Sequence, residues 1–130
     1  MSANVLVVHG GGPTAVINAS LYGVVEEAKK SGSIGKVYGA IGGSGGILKE
    51  NFLDLMQVPE EKLSLLLQTP ATAIGSSRYA LKQEDYDAMA GIFRKHGIRY
   101  VLLNGGNGTM DTCGRIFEAC RGEDIYVVGI

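Results

Sequence analysis

The sequence predicts an α/β fold: a doubly wound, mostly parallel sheet with helices on both faces, in three αβα layers, incomplete at the C-terminus. Three observations carry this. Short β-rich apolar runs alternate along the chain with stretches of helical periodicity, the pattern of βαβ crossover units. Glycine supplies 20 of 130 residues, against a usual share of about 7%, and it clusters at 10–12, 42–46 and 105–108, directly after such runs. The first run, Asn4-Val5-Leu6-Val7-Val8, has no polar alternation, as expected of a parallel strand covered on both faces.

The elements follow in order. Asn4 to Val8 is the first strand. From Asn18 to Lys30, Leu21, Val24, Val25 and Ala28 recur at three- and four-residue spacing, opposite Glu26, Glu27, Lys29 and Lys30, with Gly32 as a stop, so a first helix is expected. Lys36 to Ile41 is a second strand, followed by a glycine loop at 42–46 whose backbone is able to approach a ligand closely or serve as a turn. Pro59-Glu60-Glu61 opens a short helix with Leu63, Leu66 and Leu67 inward. Thr69 to Leu81 shows no clear period. Tyr86, Met89, Ala90, Ile92 and Phe93 set the inner face of a helix from Gln83 to His96, stopped at Gly97, with His96 as a cation at that helix end. Tyr100 to Leu103 is a further strand, Met110, Cys113, Phe117 and Cys120 mark one face of a last helix, and Ile125 to Gly129 is a final strand. The sequence ends on that strand, at Ile130.

Composition narrows the function. With 45% apolar and 19% charged residues the chain suits one compact domain and is too short for two. A formal charge of -1 gives no basic field for nucleic acid or an anionic membrane, so any phosphate must be held locally. No apolar run approaches the roughly 20 residues that span a bilayer, and the start does not read as a signal peptide, so a cytoplasmic protein is expected. Cys113 and Cys120 stand seven residues apart on one helix, about 10 Å along its axis, too far for a disulfide and consistent with reduced core thiols.

Two strand–glycine–helix segments carry the chemistry. His9-Gly10-Gly11-Gly12-Pro13-Thr14-Ala15 aims unpaired backbone N–H groups and a helix N-terminus at one point, where an anion is stabilised. Gly10, Gly12 and Ala15 also fit the loose G-x-G-x-x-A dinucleotide pattern, but the second strand, ending Tyr38-Gly39-Ala40-Ile41, offers no acid for a ribose. Asn104-Gly105-Gly106-Asn107-Gly108-Thr109 repeats the device, with Thr109 as a helix cap. Neither is G-x-x-x-x-G-K-[ST], so no Walker A lysine is delivered. Arg78, in Gly75-Ser76-Ser77-Arg78, is then the cation available for phosphate charge, unless it is an ordinary surface residue. Asp111 reads as a dipole partner in the first helical turn, and His9 as a packed residue or a member of the site.

Together, Gly11-Gly12-Pro13 leading to Asn18-Ala19, Gly75-Ser76-Ser77-Arg78 and Gly105-Gly106-Asn107-Gly108-Thr109 resemble, in order and spacing, the start of the phosphofructokinase family over essentially the whole chain. The wording Pro13-Thr14-Ala15-Val16-Ile17-Asn18 is most similar to its pyrophosphate-using and mixed-donor branch. The resemblance implies a Rossmann-like fold and transfer of phosphate from ATP or pyrophosphate to fructose 6-phosphate, in a protein that forms homo-oligomers. It implies that Gly11 and Gly12 lie at the donor phosphates, with the Gly12 backbone on the transferring group, that Arg78 bridges those phosphates, and that Gly106, Asn107, Gly108 and Thr109 line the donor and Mg²⁺ site.

This sequence departs from the family pattern in three places. Asn107 stands where an aspartate is usual, which removes a charge from the metal site and puts Asn107 as a metal ligand in doubt. Gly108 stands where pyrophosphate-dependent members commonly carry a second aspartate, leaving the space for an ATP α-phosphate open. The T-x-D-x-D segment that carries the base for the sugar hydroxyl does not occur in these residues, and by the resemblance it is expected beyond Ile130. The expectation is an amino-terminal donor-binding part that is inactive alone. Two alternatives are a non-catalytic nucleotide or phosphate sensor and an NAD-binding Rossmann enzyme.

Overall fold

A computed structural model describes residues 3–9, 15–63, 82–104, 107–122 and 124–129. Its elements, in chain order, are β1 (Ala3–His9), α1 (Ala15–Lys30), β2 (Ile34–Ala40), α2 (Ser44–Leu48), β3 (Phe52–Asp54), a 3-10 turn (Leu55–Gln57), α3 (Glu60–Leu63), α4 (Gln83–Lys95), β4 (Ile98–Asn104), α5 (Asn107–Ala119) and β5 (Tyr126–Gly129). The strands form one sheet in the order β3-β2-β1-β4-β5. β2, β1, β4 and β5 are parallel, and β3 is an antiparallel edge strand that pairs Phe52 with Ala40 and Asp54 with Tyr38.

β1 is central because it is apolar on both faces, and its side chains divide by the two-residue period of a strand. Leu6 and Val8 enter one core layer with Met89 and Phe93 of α4, Ile116 of α5, and Val101 and Leu103 of β4. Val5 and Val7 enter the other, with Leu21, Val25 and Ala28 of α1, Val37 and Leu55. Full burial of one such side chain contributes about 1.5–3 kcal/mol. The doubly wound α/β expectation is met, with helices packed on both faces of the sheet.

Local signals explain the helix ends. α4 begins where the Asp85 carboxylate accepts from the Lys82 backbone N–H at 2.8 Å, satisfying a donor that the helix cannot. Glu84 and Asp85 lie at its positive end and Arg94 and Lys95 at its negative end, each favourable with the helix dipole. His96 follows as the C-cap, and its Nε2 meets Glu50 Oε1 at 2.8 Å while Lys95 Nζ meets the same carboxylate at 2.9 Å. Those two partners, Lys95 first, hold the Glu50 carboxyl below its ordinary range. The His96 ring also packs edge-on against Tyr38 and Phe52, so it fastens α4 to the β2–β3 corner. At the amino edge of the sheet, Asn4 donates from Nδ2 to the His96 carbonyl at 2.7 Å and accepts at Oδ1 from the Lys36 backbone N–H at 3.0 Å, joining β1 to both its neighbours.

The structure corrects several sequence expectations. Residues 42–46 are not an open loop: Gly42 and Gly43 have positive φ and α2 starts at Ser44. Gly46 packs so closely on Ile41 that a Cβ there would lie 2.0 Å from the Ile41 carbonyl oxygen. The 3-10 turn and the antiparallel β3 were also not read from the sequence, because three-residue elements have too few positions to show a period. On α5 the inward stripe is Thr109, Cys113, Ile116 and Cys120, while Met110 and Phe117 are exposed. The Met110–Phe117 pairing is rotated from the true face by one residue, about 100°. Both cysteines are free thiols, and burial pushes the Cys113 thiol up. The final strand is shorter than expected at its start: β5 begins at Tyr126, one residue after Ile125, and runs to Gly129. Leu66, Leu67, the 69–81 stretch and Ile130 lie outside the described residues. No helix among the described residues is long and apolar enough to cross a membrane.

Candidate functional site

Strand order locates the site. From β1 the chain crosses through α1 to β2 on one side, and it later returns through α4 to β4 on the other. The carboxyl ends of β1 and β4 therefore form a topological switch point, where open α/β sheets bind ligands. Register makes the two ends level: Val8 pairs with Leu103 and His9 with Asn104. The glycine segments 10–14 and 105–106 thus leave from adjacent parallel strands, and α1 and α5 begin just beyond them, at Ala15 and Asn107.

The buried polar residues among those described collect at this end. They are His9 and Asn104 at the strand ends, Asn18 on α1 and Thr109 in the first turn of α5. Asn18 belongs to the sheet-facing stripe of α1, at the spacing 18, 21, 25, 28 that includes Leu21, Val25 and Ala28. His9 lies on the same side of β1 as Val5 and Val7, by alternation, and Asn104 on the same side of β4 as Leu102. Burial disfavours the charged imidazole and pushes the pKa of His9 down to about 4. At neutral pH the switch point therefore carries a neutral ring, which offers one donor and one acceptor.

The sequence-predicted residues fall as follows. Gly11, Gly12, Arg78 and Gly106 lie outside the described residues, and so does Ile130, beyond which the sugar-hydroxyl base is expected. Asn107 and Gly108 are the first two residues of α5. Thr109 is the third, so it does not cap the helix as expected, and its side chain is buried in the inner stripe. Asp111 lies beyond the first turn and pairs with Arg115 at 3.1 Å in an exposed i,i+4 contact. β2 runs from Ile34 to Ala40 where Lys36 to Ile41 was expected, and the dinucleotide alternative finds no carboxylate at its end, where Ala40 is followed by Ile41, Gly42 and Gly43. Asn104 and His9 were the less visible members. Their signal was a polar residue closing an all-apolar strand just before glycine.

Two further observations bear on a phosphate ligand. α4 begins beside α5: a cleft of about 440 Å³ is lined by Gln83 of the former and Met110, Asp111, Gly114, Arg115 and Glu118 of the latter. The chain thus returns at Lys82 to the edge of the sheet that carries the switch point. Among the described residues no three His, Cys, Asp or Glu side chains group so as to hold a metal ion.

Comparison with known proteins agrees with this topology. Residues 4–130 match the family described as Phosphofructokinase. A pyrophosphate–fructose 6-phosphate 1-phosphotransferase of Halomonas elongata is 41% identical over 121 residues, which cover 88% of this chain and 29% of that protein. Its counterpart in Rhodospirillum rubrum is 38% identical over 120 residues, 92% of this chain and 30% of its own. The crystal structure of a pyrophosphate-dependent phosphofructokinase from Nitrosospira multiformis superposes with a TM-score of 0.91 at 36% identity, over 100% of this chain and 33% of that one. The chain thus spans about a third of the length of the relatives it matches.

Proposed function

This chain belongs to the phosphofructokinase family, and from that premise we propose that it is the phosphate-donor part of a phosphotransferase that moves a phosphoryl group from pyrophosphate to the 1-hydroxyl of fructose 6-phosphate. The observation that carries the reading is the level, adjacent ending of β1 and β4, each leading into glycine and then a helix N-terminus. In this reading the N-termini of α1 and α5, which follow those two strand ends, favour an anion at that edge of the sheet. The named activity of the relatives at 38–41% identity favours pyrophosphate over ATP as donor, while Gly108 leaves room for a nucleotide.

Phosphoryl transfer depends mainly on positioning and on stabilising charge over the transferring group. In this reading the backbone at Gly11 and Gly12 holds the transferring phosphoryl, and Gly106, Asn107, Gly108 and Thr109 line the rest of the donor. Arg78 supplies the positive charge that no Walker lysine provides. It precedes by four residues Lys82, after which α4 begins beside α5. Mg²⁺ is proposed to arrive with the donor phosphates, since the described residues offer no cage for it, and Asn107 is a neutral ligand at most. When bound, the ion would neutralise phosphate charge. The sugar-hydroxyl base is proposed to belong to sequence beyond Ile130, so the 130-residue polypeptide holds the donor without turning it over. The protein is further proposed to be cytoplasmic and homo-oligomeric as the full enzyme, with no nucleic-acid or membrane partner.

Thermal denaturation with pyrophosphate, MgATP or NADH tests the reading. At 100 times its dissociation constant pyrophosphate should stabilise by about 2.7 kcal/mol. Stabilisation by NADH alone would transfer the site to a dinucleotide. Formation of fructose 1,6-bisphosphate by the isolated chain above a no-protein control would refute its inactivity.

A further inference from the structure

The floor of the switch point is polar where an apolar residue would be the simpler choice. β1 is buried along nearly its whole length, with Val5, Leu6, Val7 and Val8 all in the core, yet its last residue is a histidine that is 1% exposed. Its in-register partner on β4 is Asn104, also buried. Parallel neighbours in register stand about 4.8 Å apart across the strands, and both side chains face the layer that α1 covers. Asn18 faces the same layer from α1. A polar group buried without a partner costs about 1–3 kcal/mol, and His9, Asn18 and Asn104 each do have partners. A neutral imidazole offers one donor and one acceptor, and each amide offers two donors and one acceptor. A polar set of this kind does not outdo a well-packed leucine for stability; what it adds is a fixed, directional arrangement.

We propose that His9 is a positioning residue for the donor site: with Asn104 and Asn18 it fixes the two strand ends from which segments 10–14 and 105–106 depart. The proposal rests on the donor-site reading above. Its physical content is the separation of the two strand ends that lead into the donor-binding segments, since a misplacement of about 1 Å at a reacting centre can cost on the order of a hundredfold in rate. The neutrality imposed on the ring by burial suits this task, because the acceptor nitrogen stays available at neutral pH.

The test compares the parent with His9→Leu, which keeps bulk and removes hydrogen bonding, and His9→Gln, which restores a donor and an acceptor. Amide hydrogen exchange is read in segments 10–14 and 105–109, with α4 (84–95) as the internal reference, and pyrophosphate affinity is read by calorimetry. In His9→Leu exchange should quicken in both segments but not in α4, and the dissociation constant should rise by about tenfold or more, with His9→Gln recovering most of both. Asn104→Leu should reproduce the same pattern from the opposite strand, which keeps the comparison available if His9→Leu does not fold. Unchanged exchange and affinity in the leucine variants would overturn the proposal. So would equal acceleration in α4 without rescue by glutamine, which would make the role one of global stability. Failure of the parent to bind pyrophosphate would instead overturn the donor reading, while the exchange comparison still decides whether His9 fixes the two segments.

Discussion

Replacing Gly46 by alanine sets two opposite effects against each other. In a helix interior alanine is favoured over glycine by about 1 kcal/mol, so propensity alone makes Gly46→Ala stabilising. The structure argues the reverse. A Cβ at residue 46 would stand 2.0 Å from the Ile41 carbonyl oxygen and 2.8 Å from its carbon, where ordinary contact begins at 3.4 Å. The backbone must therefore yield by more than 1 Å, and its neighbours are tied: the Ile41 N–H donates to the Asn51 carbonyl at 2.8 Å, and the Asn51 N–H to the Gly46 carbonyl at 2.9 Å. Overpacking of this kind costs about 1–3 kcal/mol or somewhat more, and loss of one of those hydrogen bonds adds about 1 kcal/mol. The net expectation is a loss of about 2–3 kcal/mol, or roughly 10 °C in melting temperature for a chain of this size. Urea denaturation should show a lower midpoint with an unchanged slope. A variant as stable as the parent, or more so, would refute the steric argument and leave propensity in control.

Gly114, inside α5, has nothing within 4 Å of where a Cβ would stand, so Gly114→Ala should stabilise by about 0.5–1 kcal/mol in the same assay. His9 has a pKa of about 4 in the fold against 6.5 ordinarily. The unfolded chain therefore binds the extra proton between those values, and stability present above pH 6.5 is lost as pH falls toward 4, by roughly 3 kcal/mol in all. His9→Gln should show a visibly shallower acid slope; equal slopes in parent and variant would contradict a neutral buried ring. Arg78→Ala should weaken pyrophosphate binding by about 10- to 100-fold, the worth of a charge-assisted contact, with stability within about 0.5 kcal/mol of the parent. Unchanged affinity by calorimetry would return Arg78 to the ordinary surface. Asn107→Asp should make pyrophosphate binding more dependent on Mg²⁺, measured as the ratio of dissociation constants with and without the ion.

How far the sequence can be read depends on how many residues share one signal. β1, α1 and α4 were legible because five to eight positions repeat a single period, and the core they form contains Leu21, Val25, Met89 and Phe93 as that period demands. Their ends were less so: α1 begins at Ala15, three residues before Asn18, because a polar residue on the buried stripe looks like a boundary. The 42–46 segment was misread because helix propensity is a weak prior that close packing overrides, and α2 contains two glycines. On α5, Met110 and Phe117 outweighed Ile116 by size, though burial chose the other stripe. The glycine clusters did mark strand ends, and strand order now sets two of them side by side. For His9 the sequence left packing and a place in the site both open, and Asn104 drew no separate reading, because a polar residue at a strand end has the same appearance whether it faces solvent or, as here, the interior.

Asn4 has a consequence for how the chain is made. Its side chain reaches Lys36, 32 residues on, and His96, 92 residues on. At a synthesis rate of about 5–20 residues per second, the second partner leaves the ribosome roughly 5–20 s after Asn4 does. Through that interval one flank of the innermost β-segment is able to pair only with strangers. Nascent copies on crowded polysomes should therefore depend on a chaperone that shields Val5 to Val8 until the far half of the sheet emerges.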